Sequence, residues 1–148
     1  MGVKQPVSVL VVIHTPDGQV LLIERADRAG YWQSVTGSRE GNESLHDTAR
    51  REVWEETGLM VDDHALCDWQ LSNRYEIYPH WRHRYPDGVT HNVEHVFSLQ
   101  LPVPQPVVLA VGEHVNQQWQ PWQLAAEQVF SPSNAEAIRL LAIRLGLR

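Results

Sequence analysis

The stretch GSREGNESLHDTARREVWEETGL occupies residues 37–59 of this 148-residue chain. The positions that carry its pattern are Gly37, Glu43, Arg51, Glu52, Val53, Glu55, Glu56, Gly58 and Leu59. Ser44 followed by Asp47 resembles a capping box, and Gly58 can adopt the left-handed conformation that ends a helix. The stretch therefore predicts a helix over residues 44–57.

The carboxylates of this predicted helix lie beside its apolar face. At about 100° per residue, Glu52 and Glu56 are one turn apart on the stripe that also carries Leu45 and Ala49. A solvated helix would instead place its acidic residues away from that stripe and pair them with Lys or Arg. A divalent cation removes the repulsion, because carboxylate oxygens are the ligands that hard cations such as Mg²⁺ prefer. The pattern predicts a metal site on this helix.

This pattern resembles the signature of the Nudix hydrolases, which cleave nucleoside diphosphates linked to another moiety. The metal ligands that the resemblance implies are Glu52, Glu55 and Glu56. The metal would be Mg²⁺, with Mn²⁺ as a possible substitute. The resemblance also implies that Gly37 starts the loop leading into the helix. Arg51 would orient the glutamates by charge-assisted hydrogen bonds, and Glu43 would support the site from the loop.

Composition favours one compact cytoplasmic domain over residues 1–148. The chain is 43% hydrophobic and shows no repeat or second composition regime, so it can bury one sizeable core. The lone Cys67 excludes an intrachain disulfide, and neither a signal segment nor a stretch of membrane-spanning length is present. The net charge of −6 argues against a nucleic-acid binder. We expect neither a nucleic-acid nor a membrane partner, and the sequence indicates no oligomeric state.

Strand-like runs precede and follow the predicted helix. The predicted strands are residues 7–13, 20–23, 32–35, 61–71, 93–101, 107–111 and 118–119. A turn signal at residues 16–18 predicts a hairpin, and Ser133 with Glu136 predicts the cap of a C-terminal helix. Strands flanked by helices predict an α/β fold, a mixed β-sheet sandwiched between helices with the metal helix at one edge. The Nudix resemblance implies the same α/β/α sandwich.

Glu113, in the segment Gly112-Glu113-His114, is the candidate for the carboxylate that orients or deprotonates the attacking water. The Nudix resemblance motivates this choice, because many of these enzymes take that carboxylate from a loop outside the signature. Glu113 is also predicted to be a metal ligand, and Arg51 is predicted to be a catalytic residue. Glu52 or Glu55 could serve as the base instead, and Glu113 could be an ordinary exposed loop residue.

Aromatic and cationic side chains are concentrated in residues 74–85. This mixture suits a flat ring stacked on aromatic faces beside a phosphate chain held by Arg, although it also suits a strand with one buried face. Zinc binding is a further possibility for His80, His83, His91 and His95. It is disfavoured because no cysteine is near and the spacing is loose.

Residues 4–8, 31–37, 83–85 and 86–90 resemble one Nudix subgroup, the dihydroneopterin triphosphate pyrophosphatases. The resemblance implies release of pyrophosphate from 7,8-dihydroneopterin triphosphate, which leaves the monophosphate on the route to folate. The substrate-binding residues predicted on this basis are Lys4, Arg25, Thr36, Tyr75, Glu76, Ile77, Tyr78, Ser131 and Asn134. The ligand would then be a small-molecule pterin or nucleoside triphosphate.

Two alternatives stay open. A broader nucleotide pyrophosphohydrolase acting on dATP or similar triphosphates would use the same metal helix. A Nudix-like binding module without hydrolysis is disfavoured, because such a module would be expected to have lost some of the glutamates that are intact here.

Overall fold

A computed structural model describes residues 3–148 of the chain. Its strands are β1 (Val7–His14), β2 (Gln19–Arg25), β3 (Trp32–Gln33), β4 (Val35–Ser38), β5 (Leu66–Glu76), β6 (His91–Gln100) and β7 (His114–Pro121). Its α-helices are α1 (Leu45–Thr57), α2 (Trp122–Gln128) and α3 (Pro132–Arg144). Short 3₁₀ helices occupy Asp63–Ala65 and Pro79–Arg84. None of the helices in this part of the chain is long and apolar enough to cross a membrane.

The strands form one mixed sheet around β1. Strand β6 runs parallel to β1 along the whole length of β1, from Val7 opposite Val93 to His14 opposite Gln100. The other side of β1 is shared by β2 at one end and β4 at the other, both antiparallel. Strands β3 and β7 pair with β2, and β5 pairs with β6. The predicted hairpin and mixed sheet are confirmed.

Strand β1 is buried on both faces, which explains its continuous apolar run. Val9, Val11 and Ile13 pack in the core cluster that contains Ala49 and Val53 of α1. The alternate residues of β1 pack in a second cluster with α2 and α3. The α/β/α sandwich is therefore confirmed. The prediction that the metal helix lies at one edge of the sheet is wrong, because α1 covers one face of the sheet.

Helix α1 begins and ends as its sequence indicates. Ser44 Oγ accepts a 3.0 Å hydrogen bond from Asp47 N–H, and Gly58 has a φ of 72°. Gly58 N–H donates to Trp54 O at 2.8 Å. Along the helix Glu52 and Glu56 are buried together with Ala49, as the helical periodicity predicts.

Two strand predictions are corrected by the structure. Residues 107–111 form a loop, because the backbone groups of Val107 are hydrogen-bonded to the Gln117 side chain and not to a strand. The Gln117 amide accepts from Val107 N–H at 2.7 Å and donates to Val107 C=O at 2.8 Å. Strand β5 starts at Leu66, later than the predicted residue 61, because a 3₁₀ turn precedes it, and it continues to Glu76.

The helix cap predicted at Ser133 is also wrong. Ser131 caps α3, and its Oγ accepts from Asn134 N–H at 3.5 Å. Ser133 lies within the first turn, and its Oγ donates to Glu94 at 2.8 Å.

Candidate active site

A cavity of about 610 Å³ opens between the sheet, α1, α3 and the 3₁₀ segment Pro79–Arg84. That volume suits a ligand of small-molecule size. The predicted site residues that line it are Lys4, Arg25, Thr36, Glu52, Glu56, Tyr75, Glu76, Ile77, Tyr78, Glu113, Ser131 and Asn134. Arg51 and Glu55, which were also predicted, lie outside the lining.

The two buried glutamates of α1 form one end of the cavity. Glu52 is 9% exposed and Glu56 is 5% exposed. Burial raises the pKa of Glu52 to about 8, and it raises the pKa of Glu56 well above its ordinary value. Thr36 N–H points to Glu56 Oε1 at 3.4 Å. Two buried carboxylates one turn apart form a site that attracts a cation.

Gly37 leaves the space that the Glu52 carboxylate occupies. A Cβ built on Gly37 would lie 1.3 Å from Glu52 Oε2 and 1.9 Å from its Cδ. Gly37 lies within β4, opposite Val9 of β1, so the prediction that it starts the loop is wrong. Its missing side chain, and not a turn, is what the site requires of this position.

Arg51 fastens α1 to the preceding loop. Its Nε and Nη2 donate to the two carboxylate oxygens of Glu43 at 2.8 and 2.9 Å, and Nη2 also donates to Ser38 O at 2.8 Å. Its Nη1 donates to both oxygens of Glu55 at 3.1 Å and lies 3.4 Å from Glu52 Oε1. Arg51 lowers the pKa of Glu43 to about 2. Nη1 also lies 3.6 Å from Glu40 Oε2, so the guanidinium contacts four glutamates, an arrangement that suits the orienting role implied by the family resemblance.

Glu113 reaches the same end of the cavity from the turn that precedes β7. Its backbone C=O accepts a hydrogen bond from Ala26 N–H at 2.9 Å, and its side chain is exposed. Its charge helps to raise the pKa of Glu52 and Glu56. The fold thus brings a carboxylate more than fifty residues away alongside the helix.

The donor chemistry of this region fits a divalent cation. Glu52, Glu55, Glu56 and Glu113 supply only hard oxygen ligands, two of them buried. Among residues 3–148, no three His, Cys, Asp or Glu side chains converge in a geometry that holds a metal as they stand. Metal binding would therefore reorient at least one of these glutamates.

Aromatic rings form a wall of the cavity, around Phe130. Phe130 stacks on Tyr31 with centroids 4.6 Å apart and meets Trp81 edge-on at 5.8 Å. Tyr78 lies 6.2 Å from Phe130 and is also close to Trp81. Tyr78 is among the predicted substrate-binding residues, and Trp81 lies in the block of residues 74–85 for which ring stacking was predicted. Phe130 is 45 residues beyond the aromatic block and was missed.

Cations lie between the aromatic wall and the carboxylates. The Arg25 guanidinium is 4.4 Å from the Trp81 ring centroid and forms a two-point ion pair with Asp27 at 2.8 and 2.9 Å. Arg84 donates to the same Asp27 at 3.0 Å. Desolvation and the neighbouring Arg84 lower the pKa of Lys4, whose charge also acts on Glu52. Arg84 lies in the block of residues 74–85 that was predicted to hold a phosphate chain, although it is not among the substrate-binding residues named individually.

The segment from Tyr75 to Tyr78 contributes unequally to the cavity. Ile77 is buried, and burial raises the pKa of Tyr75 above its ordinary range. Glu76 accepts a 2.6 Å hydrogen bond from Arg82 at the surface. Tyr75 and Ile77 therefore form inner walls, and Glu76 lies at the rim.

Two buried polar residues of β6, Asn92 and Glu94, form the floor of the cavity. Asn92 is 1% exposed, and its Nδ2 donates to Ser8 Oγ at 2.7 Å and to Tyr75 Oη at 3.0 Å. Glu94 is 4% exposed and accepts from Ser133 at 2.8 Å. Neither residue was predicted. Two polar residues at alternate positions of an otherwise apolar strand are the signal that could have found them.

Asn134 positions the backbone next to the cavity. Its Oδ1 accepts from Ser34 N–H at 2.8 Å, and its Nδ2 donates to Ser34 Oγ at 3.0 Å. Both ends of its amide are thus engaged in joining α3 to the junction of β3 and β4. This geometry favours a supporting role over the predicted substrate contact.

Comparisons with known proteins show the family of this chain. The family model of the NUDIX domain matches residues 4–141, and the chain belongs to the Nudix hydrolase family. Within it, the chain is 40% identical over 142 residues to the dihydroneopterin triphosphate diphosphatase of Haemophilus influenzae, covering 94% of this chain and 89% of the relative. It is 42% identical over 143 residues to the Escherichia coli protein of that name, covering 95% and 94%.

A solved structure shows the same fold. The structure of the E. coli dihydroneopterin triphosphate pyrophosphohydrolase superposes with a TM-score of 0.90 at 41% identity. The match covers 97% of this chain and 99% of that one.

Proposed function

We propose that this protein hydrolyses 7,8-dihydroneopterin triphosphate to dihydroneopterin monophosphate and pyrophosphate, with Mg²⁺ as its metal and Mn²⁺ as a substitute. The observation that carries the proposal is the cavity itself, which joins buried carboxylates at one end to an aromatic wall at the other. The names of the relatives support the choice of substrate. As part of this proposal, the protein acts as a single cytoplasmic domain.

In this proposal Glu52 and Glu56 are the inner metal ligands. Glu113 and a reoriented Glu55 would complete the set of metal ligands that the protein provides. A bound divalent cation neutralises charge on the diphosphate and polarises it toward attack by water. Arg51 keeps α1 and its carboxylates in register with the loop by its bonds to Glu43 and Ser38.

Glu113 is the proposed general base. It is the exposed carboxylate of the group, so it can reach a water at the mouth of the cavity and return the proton to solvent. Lys4, Arg25 and Arg84 would hold the phosphate chain, and the ring would stack against the wall formed by Tyr78 and its neighbours.

The test is pyrophosphate release by the purified protein with Mg²⁺, with separate detection of pyrophosphate and orthophosphate. We expect Glu56→Gln to lower kcat by at least about 100-fold, because even indirect partners of a metal contribute 10- to 100-fold. Glu127→Gln, an exposed glutamate on α2, is the matched control and should retain wild-type turnover. Full activity in Glu56→Gln would defeat the metal assignment, and unchanged turnover in Glu113→Gln would remove Glu113 from the mechanism.

A substrate panel separates this proposal from the alternatives. Faster turnover of dATP than of dihydroneopterin triphosphate would favour a broader nucleotide pyrophosphohydrolase. Binding of either compound without any release of pyrophosphate would favour a binding module.

A further inference from the structure

Glu94 is a buried carboxylate that the proposed hydrolysis does not use. It lies on β6 opposite Ser8 of β1, on the far side of β1 from β4 and the metal end of the cavity. Two strand spacings separate β6 from β4, about 10 Å. Glu94 therefore lies at the end of the cavity where the ring of an extended substrate would be placed.

The Glu94 carboxylate has unused hydrogen-bonding capacity. Ser133 Oγ donates to Oε1, and no other residue of the described range 3–148 donates to this carboxylate or forms an ion pair with it. Each carboxylate oxygen can accept two hydrogen bonds, so three acceptor positions of Glu94 have no donor from the described residues. Burying such a group without a cation costs stability, which indicates a functional reason for its presence.

Asn92 adds a second unsatisfied acceptor beside Glu94. Its Oδ1 is buried and has no partner among the described residues, whereas its Nδ2 is committed to Ser8 and Tyr75. Unpartnered buried acceptors are uncommon in proteins. Asn92 Oδ1 is itself enclosed, so the acceptor that the floor of the cavity offers to a ligand is the Glu94 carboxylate, which suits a ligand edge made of N–H donors.

We propose that Glu94 selects the substrate ring by accepting hydrogen bonds from two adjacent N–H groups of a 2-amino-4-oxopyrimidine edge. This proposal rests on the proposed function. Pterin presents that edge through its 2-amino group and N3–H, and guanine presents it through its 2-amino group and N1–H. Adenine presents one donor and one acceptor, and the acceptor would face a carboxylate oxygen. Glu94 thus favours pterin and guanine rings over adenine rings.

Phe130 and Tyr78 give this assignment a stacking surface. Both line the same cavity as Glu94, with ring centroids 6.2 Å apart. A bicyclic ring held by its donor edge at the floor could lie against these rings and direct its tail toward the carboxylates of α1. Affinity would then come from stacking and selectivity from Glu94.

Glu94→Gln is the direct test, because a glutamine offers one acceptor and one donor and so matches an adenine edge. We expect kcat/KM for dihydroneopterin triphosphate and for dGTP to fall by about 10- to 100-fold, the worth of a charge-assisted hydrogen bond. The value for dATP should be unchanged or higher. A merely structural role would lower all three together, and Glu127→Gln should change none of them.

The outcomes separate this inference from the proposed function. If the wild type does not cleave dihydroneopterin triphosphate, the proposed function fails, while the dGTP to dATP ratio and its reversal in Glu94→Gln still test the role of Glu94. If the wild type cleaves it and Glu94→Gln keeps the wild-type ratios, the role of Glu94 is wrong.

A measurement on the wild type covers the case in which the variant does not fold. Dihydroneopterin without phosphates should inhibit about 10-fold more strongly than its N3-methyl derivative, which has lost one N–H donor. Equal inhibition by the two compounds would overturn the proposal.

Discussion

Gly37→Ala should abolish activity without unfolding the protein. The new Cβ would lie 1.3 Å from Glu52 Oε2, whereas ordinary contact begins near 3.4 Å, so the carboxylate must retreat by about 2 Å. Gly37 is not among the glycines with positive φ, and alanine can therefore adopt its backbone conformation. The clash thus falls on the Glu52 side chain from Cγ, at 2.6 Å, to the carboxylate, and not on the sheet.

The magnitude follows from this displacement. A 1 Å misplacement of a reacting group can cost about 100-fold in rate, so we expect kcat/KM to fall by at least that factor, about 2.7 kcal/mol. Stability should change little, because the displacement of the buried Glu52 side chain offsets the gain of about 0.5–1 kcal/mol that alanine has over glycine in a strand. Activity is followed by pyrophosphate release, and stability by thermal unfolding with circular dichroism.

A double-mutant cycle with Glu52→Gln provides the control. If Gly37→Ala acts by displacing Glu52, then adding it to Glu52→Gln should cost little further activity. Wild-type kcat/KM in Gly37→Ala would refute this reasoning, and so would independent, additive losses in the double variant.

Three further outcomes follow from the described contacts. Arg51→Lys cannot reproduce the paired bonds to Glu43, and its kcat/KM should fall by about 10- to 100-fold, whereas a loss within about twofold would contradict the orienting role. Asn134→Ala leaves the Ser34 N–H buried without its acceptor and should lower the unfolding free energy in urea by about 1–3 kcal/mol, so an unchanged midpoint would count against it. Burial raises the pKa of Glu94 from 4.5 to about 7. Between these pH values the folded protein holds a proton on Glu94 that the unfolded chain has lost. The free energy of unfolding of the wild type should therefore fall as pH rises from 4.5 to 7. Relative to the wild type, Glu94→Gln should gain roughly 3 kcal/mol over that pH range, and a pH-independent difference between the two would contradict the burial effect.

Helix α1 could be predicted because its determinants are local. The cap at Ser44, the stop at Gly58 and the spacing of Glu52 and Glu56 all lie within one short stretch, and each behaves in the structure as its residue type indicates. The chemical class of the site followed from the same stretch.

The features that were missed depend on contacts that the local sequence does not reveal. The sequence predicts that Gly37 starts a loop, because nothing in the local sequence shows that Glu52 fills its side-chain space. The sequence of residues 107–111 predicts a strand, because it does not show that the Gln117 side chain hydrogen-bonds the Val107 backbone. Glu94 becomes part of the site only when β6 and the start of α3 meet, so its role could not be predicted from spacing.

The most direct test of the account is the ratio of kcat/KM for dihydroneopterin triphosphate to kcat/KM for dATP, measured on the wild type with saturating Mg²⁺. A site whose acceptors are arranged for two adjacent N–H donors should prefer the pterin by at least about 100-fold. Equal or faster turnover of dATP would contradict the account.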